Sequence, residues 1–223
     1  MKIAILGGTG ELGTGLARRW AEAGYDIIIG SRTQEKADAA SAALRKIMAD
    51  RGIIGVNVIA LDNIGAARAG DVVVVTVPFS HQESTLASVK EALRGKILID
   101  VTVPLVPPRV ARVQLPTEGS AGQLAQRLLG EEVRVVSAFH NVAAHHLKEG
   151  QTIDCDVLVC GDSKEARTEV IKLVEAAGMR GYHAGSIANS AAAEAMASVL
   201  IFINKQFNCH AGIRITGIGH SKG

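Results

Sequence analysis

A glycine pattern near the start constrains this chain more than any other feature. Lys2-Ile3-Ala4-Ile5-Leu6 is a short apolar run that leads into Gly7-Gly8-Thr9-Gly10-Glu11-Leu12-Gly13. Leu12, Leu16 and Trp20 then recur four apart, on one helical face, and Gly24 stands where that helix should stop. Tyr25 to Gly30 is a second apolar run. Strand, G-x-G-x-x-G turn, helix and strand in this order form the βαβ unit that holds a dinucleotide. Gly8 and Gly10 are expected to allow a tight turn and let the backbone approach a pyrophosphate. Gly13 lets helix pack on strand. The helix start offers free N–H groups and a positive dipole end to the phosphates.

The residues after the second strand select the dinucleotide. An NAD site places an acid there for the ribose 2′-hydroxyl, whereas a 2′-phosphate needs cations and hydroxyls. Here stand Ser31, Arg32 and Thr33, with Lys36 a helical turn further on. Arg32 can fork onto a phosphate, and Lys36 can add a point charge. Thr33 is also placed to cap a helix beginning near Gln34. With no acid at positions 31 to 33, the pattern points to NADP.

The rest of the chain repeats the α/β rhythm. Helices are expected over Thr33 to Asp50, Asn63 to Ala69, Gln82 to Leu93, Ser120 to Leu129, Lys164 to Ala177 and Ala188 to Phe207. Strands are expected over Val56 to Ala60, Val72 to Val75, Gly95 to Asp100, Val133 to Ser137, Val157 to Cys160 and Arg180 to Ala184. The run Val72-Val73-Val74-Val75 is apolar on both faces, as a central parallel strand requires. It runs into Thr76-Val77-Pro78-Phe79-Ser80-His81, expected as a loop at the ligand-binding end of the sheet. Four of the five prolines fall between Thr102 and Gly119, in an ordered loop over the cleft. The expected fold class is α/β, a Rossmann-type doubly wound, mostly parallel sheet with a small C-terminal α/β portion. Its dinucleotide domain spans 1–145, and 146–223 completes the substrate pocket. The last helix, apolar almost all round, suits either the core or a dimer interface. Gly219 to Gly223 lie beyond the last patterned residue.

Composition excludes other classes. Aromatic residues make up 3% of the chain, too few for a nucleic-acid stacking platform, and a net charge of +2 gives no footprint for DNA or membrane. Cys155, Cys160 and Cys209 lack metal-type spacing and read as reduced and buried, hence intracellular. No signal peptide is expected, nor an apolar stretch long enough to span a bilayer. The expected location is cytoplasmic.

No catalytic constellation emerges beside the dinucleotide site. Tyr25 and Tyr182 have no Lys four residues on, and Ser80 and His81 are adjacent, a poor geometry for nucleophile and base. His140, His145 and His146 are not spaced to share a metal, and no metal is expected. His81 and His140, each just beyond a strand, are the candidate acids if the second substrate is a carbonyl. A ring that stores electrons itself, a flavin or deazaflavin, needs no protein acid and fits the inventory better.

The chain resembles the F420H2:NADP oxidoreductases, which pass a hydride between the deazaflavin coenzyme F420 and NADP. Nearly the whole length takes part: Leu6 to Gly13, Gly30-Ser31-Arg32 with Lys36, the Pro78 loop, Pro104-Leu105-Val106-Pro107, Val136 to His140, Val159 to Asp162 and Ala188-Asn189-Ser190. The resemblance implies that Thr9, Gly10, Glu11 and Leu12 wrap the pyrophosphate. Ser31, Arg32 and Lys36, with Thr9, then hold the 2′-phosphate, and His81, Val106 and Ala144 add cofactor contacts. Val77, Pro78, Phe79, His140, Asn141 and Val142 line the meeting place of the two rings, with His140 and Pro78 positioning them and His140, Asn141 and Val142 on the F420 side. It also implies a homodimer, and kinship with the reductase domain of membrane ferric reductases, which passes hydride to a flavin. Phe79 stands where the family often has Trp, and Asn208 to Gly212 differs from its tail.

Overall fold

The computed structural model describes residues 1–149 and 153–218. Six parallel strands form one sheet in the order β3-β2-β1-β4-β5-β6. They are β1 (Lys2–Leu6), β2 (Asp26–Ser31), β3 (Val58–Asp62), β4 (Val72–Val75), β5 (Ile97–Asp100) and β6 (Arg134–Ser137). Between them run α1 (Glu11–Glu22), α2 (Gln34–Asp50), α3 (Asn63–Ala69), α4 (Phe79–Leu93) and α5 (Ala121–Leu129). The strand order reverses between β1 and β4, the switch point where ligands of such sheets bind.

Alternation along the strands builds a core on each face. Ile3 and Ile5 of β1 and Val72 and Val74 of β4 join Leu16, Trp20 and Leu44 from α1 and α2. Ala4, Leu6, Val73 and Val75 join Ala66, Leu86, Val89 and Leu129 from α3, α4 and α5. Each fully buried aliphatic side chain contributes about 1.5–3 kcal/mol. Every strand must therefore be apolar on both sides, as the Val72–Val75 run is.

The remaining elements are α6 (Ala144–Glu149), β7 (Asp156–Val159), α7 (Lys164–Ala176), β8 (Arg180–His183) and α8 (Ser190–Phe207), the last entered through a 3-10 turn at Ile187–Asn189. β7 and β8 pair in parallel, and an antiparallel bridge between Ser137 and Cys160 joins them to β6. Val170 and Leu173 of α7 enter the same core as Trp20, whose Nε1 donates to the Leu173 carbonyl at 2.8 Å.

Several expectations need correction. Phe79, Ser80 and His81 form the first turn of α4, with Pro78 at its N-cap, not a loop; proline's fixed φ suits a helix start. β3 begins at Val58, two residues late, because Gly55 turns at φ 83° and Asp26 takes the Asn57 N–H. Helix α6 was not legible in the sequence. Tertiary contacts make it: Leu147 fits a notch at Gly15, where an added Cβ would lie 2.6 Å away, and Arg19 donates to the His146 and Leu147 carbonyls. Among the described residues one helix, Ile187–Phe207, is long and apolar enough by length and composition to cross a membrane, against the expectation of none. Its Ala193, Glu194, Ala197 and Leu200 are buried within the protein. All three cysteines are free, but Cys209 is exposed just past α8. The terminal Gly219 to Gly223 lie outside the described residues.

Candidate active site

At the switch point, a cleft of about 460 Å³ opens over the C-terminal ends of β1, β2 and β4. Thr9, Gly10, Ser31, Arg32, Lys36, Val77, Pro78 and His81 all line it, joined by Gly7, Thr33, Asn63, Thr76 and Thr85. The left-handed turn falls on Gly7, at φ 69°, one residue before the motif. Gly13 is packed tightly: a Cβ there would lie 2.9 Å from the Gly8 Cα. A Cβ added at Gly10 would make only an ordinary contact with the Gly7 carbonyl oxygen, at 3.8 Å, so the floor of the cleft is backbone that a pyrophosphate can approach.

At the far end Ser31 closes β2 and Arg32 and Lys36 are exposed. Thr33 sits at the N-cap of α2, yet its hydroxyl makes no capping bond, which leaves it facing the cleft. None of the lining residues is acidic. The nearby Asp62, at the end of β3, is committed to capping α3 through Gly65 N–H at 2.6 Å. Asn63 Oδ1 accepts the Gly7 N–H at 3.4 Å and holds the glycine turn from behind. Sequence reasoning missed Asn63, Thr76 and Thr85, because polar residues beside strand ends carry no motif. Gly8, Glu11, Leu12 and Gly13 shape the turn and the start of α1 without lining the cleft. Phe79, Val106 and Ala144 also lie off its wall, Val106 exposed in the proline-rich loop and Ala144 at the start of α6.

A second cavity of about 200 Å³ lies beyond the ends of β5 and β6, bounded by Val103, Leu105, His140, Asn141, Val142, Ala143 and, from α8, Ala197, Leu200, Ile201 and Asn204. His140 and Asn141 are aimed into it by a strained residue. Phe139 has φ 68°, a left-handed conformation that costs a bulky side chain about 1–3 kcal/mol, and its ring is buried edge-on against Trp20 at 6.0 Å. Asn141 Nδ2 donates to the Asp156 carbonyl at 2.8 Å, which fixes it to β7. Burial pushes the His140 imidazole down to about 4, against a hydrogen bond to the Asp100 backbone that acts the other way. His140 is therefore neutral at physiological pH, with Nε2 3.3 Å from the Ser137 hydroxyl, and is a poor acid.

Two buried carboxylates hold the proline-rich loop at both ends. Asp100 accepts from Thr102 N–H at 2.9 Å and from the Gln82 amide. Glu194, the one acid in the apolar run of α8, accepts from Ala121 and Gly122 N–H at 2.6 and 3.0 Å, at the start of α5. Burial raises Asp100 to about 6 and Glu194 to about 8. Ser120 caps α5: its hydroxyl takes the Gln123 N–H at 3.0 Å and also meets the Gln123 side chain. Among the described residues no group of three His, Cys, Asp or Glu converges on a metal position.

A cationic dinucleotide cleft, with a second cavity whose histidine is a poor acid, defines an NADP-type oxidoreductase. The profile of a family described as NADP oxidoreductase, coenzyme F420-dependent, matches residues 2–104. The chain is 41% identical over 98% of its length to the F420-dependent NADP reductase of Methanocaldococcus jannaschii, covering 99% of that protein. The same identity and share hold for the F420-dependent NADP reductase of Methanothermobacter thermautotrophicus, of which 96% is covered. A crystal structure of an Arthrobacter protein assigned as an F420-dependent NADP reductase superposes with a TM-score of 0.77 at 25% identity, over 96% of this chain and all of that one. The chain belongs to the F420-dependent NADP oxidoreductase family.

Proposed function

We infer that this chain transfers a hydride between NADP(H) and coenzyme F420. The observation that carries the reading is the pair of neighbouring cavities over one sheet edge, the first cationic and floored by glycine backbone, the second apolar and closed by a neutral histidine. Bound together, the two coenzymes supply the chemistry: reduced F420 gives a hydride from C5 to the nicotinamide C4 and releases a proton to solvent. The protein binds, orients and excludes water. Arg32 and Lys36 take the 2′-phosphate, Gly10 and the start of α1 the pyrophosphate, and Val77 and Pro78 the nicotinamide end. His140, Asn141 and Val142 line the deazaflavin side, and the portion after residue 145 closes it through α8. The test is to mix the protein with reduced F420 and NADP and follow NADPH absorbance with F420 fluorescence. Turnover with a flavin but not F420 would overturn the reading.

A homodimer belongs to this proposal. Met196, Val199 and Phe202 form an exposed apolar stripe on α8, with Val113 and Leu115 exposed in the proline-rich loop. A second copy seated there would cover a surface that single soluble chains seldom leave open. Phe202→Glu is expected to turn the dimer into a monomer in sedimentation experiments; an unchanged mass would refute this interface. A cytoplasmic location fits the three free thiols.

A further inference from the structure

The ring cavity continues into a smaller one of about 160 Å³, which shares Asn141, Ala143 and Ala211 with it. His146 and His210 line this annex. With His145 they form a cluster of three imidazoles, with ring centroids 5.9 Å apart for His145–His146, 5.5 Å for His145–His210 and 4.8 Å for His146–His210. Two different segments bring them together. His145 and His146 stand on α6, held against α1 by Leu147 and Arg19. His210 follows α8 and is placed by Asn204, whose Oδ1 accepts the Ala211 N–H at 2.6 Å. The ligating atoms do not converge on a metal position. Imidazoles offer N–H donors in either protonation state and positive charge when protonated, so the cluster suits an anion. The carboxylate on the same wall, Asp154, is paired with Arg214.

We propose that His146 and His210, with His145 packed beside them, receive the anionic side chain of the deazaflavin co-substrate, beginning with its phosphodiester, while the ring occupies the adjoining cavity. The proposal rests on the F420 reading above. In F420 the side chain leaves the ring at N10, across the central ring from the C5 that exchanges the hydride. A ring seated with C5 toward the nicotinamide therefore sends its side chain out of the ring cavity by another exit. At about 160 Å³ the annex is large enough for a phosphate group.

The test compares two substrates on the full-length protein: F420, and the ribityl deazaflavin that lacks the phosphodiester and glutamates. In the His146→Gln, His210→Gln double variant, KM for F420 should rise about tenfold or more, as the loss of charge-assisted contacts implies. The KM ratio between the two substrates should fall by the same factor. His210→Gln alone, on the exposed segment after α8, should move the ratio in the same direction and serves if the double variant folds poorly. An equal rise for both substrates would mean a structural role and overturn the proposal. So would unchanged constants, a loss of NADPH affinity of similar size, or a chelator reproducing the effect in the unsubstituted protein. Absence of turnover with either deazaflavin in the unsubstituted protein would sink the F420 reading itself and this proposal with it.

Discussion

Arg32→Ala is the sharpest test of cofactor choice. Arg32 stands at the turn between β2 and α2, with Lys36 as the other cation on a wall that carries no acid. A charge-assisted hydrogen bond contributes about 1.5–3 kcal/mol, a factor of about 12 to 160 in affinity. Both cations are exposed, so solvent screening favours the lower end. The expected loss for NADPH is roughly 10- to 30-fold. NADH presents a hydroxyl at the same place, and losing a neutral contact of about 0.5–1 kcal/mol costs it only about two- to fivefold. Titration of nicotinamide fluorescence with each coenzyme measures both constants. Raising the salt to about 1 M, where the screening length falls to about 3 Å, should weaken NADPH binding to the unsubstituted protein more than to the variant. Equal losses for NADPH and NADH, or equal salt dependence, would refute the assignment of Arg32 to the 2′-phosphate.

Two further predictions concern titration. Asp100 and Glu194, raised by burial to about 6 and about 8, keep protons that the unfolded chain releases in the ordinary carboxylate range. Their contribution is complete at low pH and is lost as pH rises through about 6 and then about 8, with a slope of at most about 1.4 kcal/mol per pH unit for each group. Denaturant unfolding of Glu194→Gln should therefore show a flatter decline between those two values, and curves parallel to the unsubstituted protein would count against the buried network. His140, neutral above about 4, should leave no limb in the pH–rate profile at physiological pH. His140→Asn should lower kcat/KM with F420 about tenfold with the profile shape kept, since a lost hydrogen bond is all that changes. A limb in the ordinary histidine range that vanishes in the variant would show His140 to be a proton donor.

What was legible in the sequence follows from how local each signal is. The succession of strands and helices was legible in the apolar runs, and the dinucleotide turn in Gly8, Gly10 and Gly13, because steric needs at a tight turn are met by glycine wherever it occurs. Arg32 and Lys36 were legible for the same reason, since they lie next to the strand that positions them. Helix α6 was not, because its only apolar anchor is Leu147 and the notch at Gly15 that receives it lies on another helix. The first turn of α4 was missed because Pro78 reads as a loop residue when its place at an N-cap is unknown. Asp100 and Glu194 were missed although a lone acid in an apolar helix is a usable signal. Only the fold shows that Glu194 meets the bare N–H groups at the start of α5.

Those two carboxylates explain why the second cavity needs no catalytic side chain. Hydride transfer depends on the distance and angle between two rings, so the protein must keep the walls of both cavities in register. Val103 and Leu105, which line the second cavity, belong to a proline-rich loop with no regular structure of its own. Asp100 fixes the entry of that loop through Thr102, and Glu194 fixes its exit through Ala121 and Gly122. Glu194 lies on α8, the helix that also supplies Ala197, Leu200 and Ile201 to the same cavity. His140 and Asn141 of the same cavity follow Phe139, whose left-handed backbone persists because its ring is packed against Trp20 on α1. Trp20 in turn lies on the helix that the glycine turn opens, so α1 contributes to the surroundings of both cavities. Weakening either anchor should therefore change the rate of hydride transfer with little effect on NADPH affinity, the mark of a site that works by position.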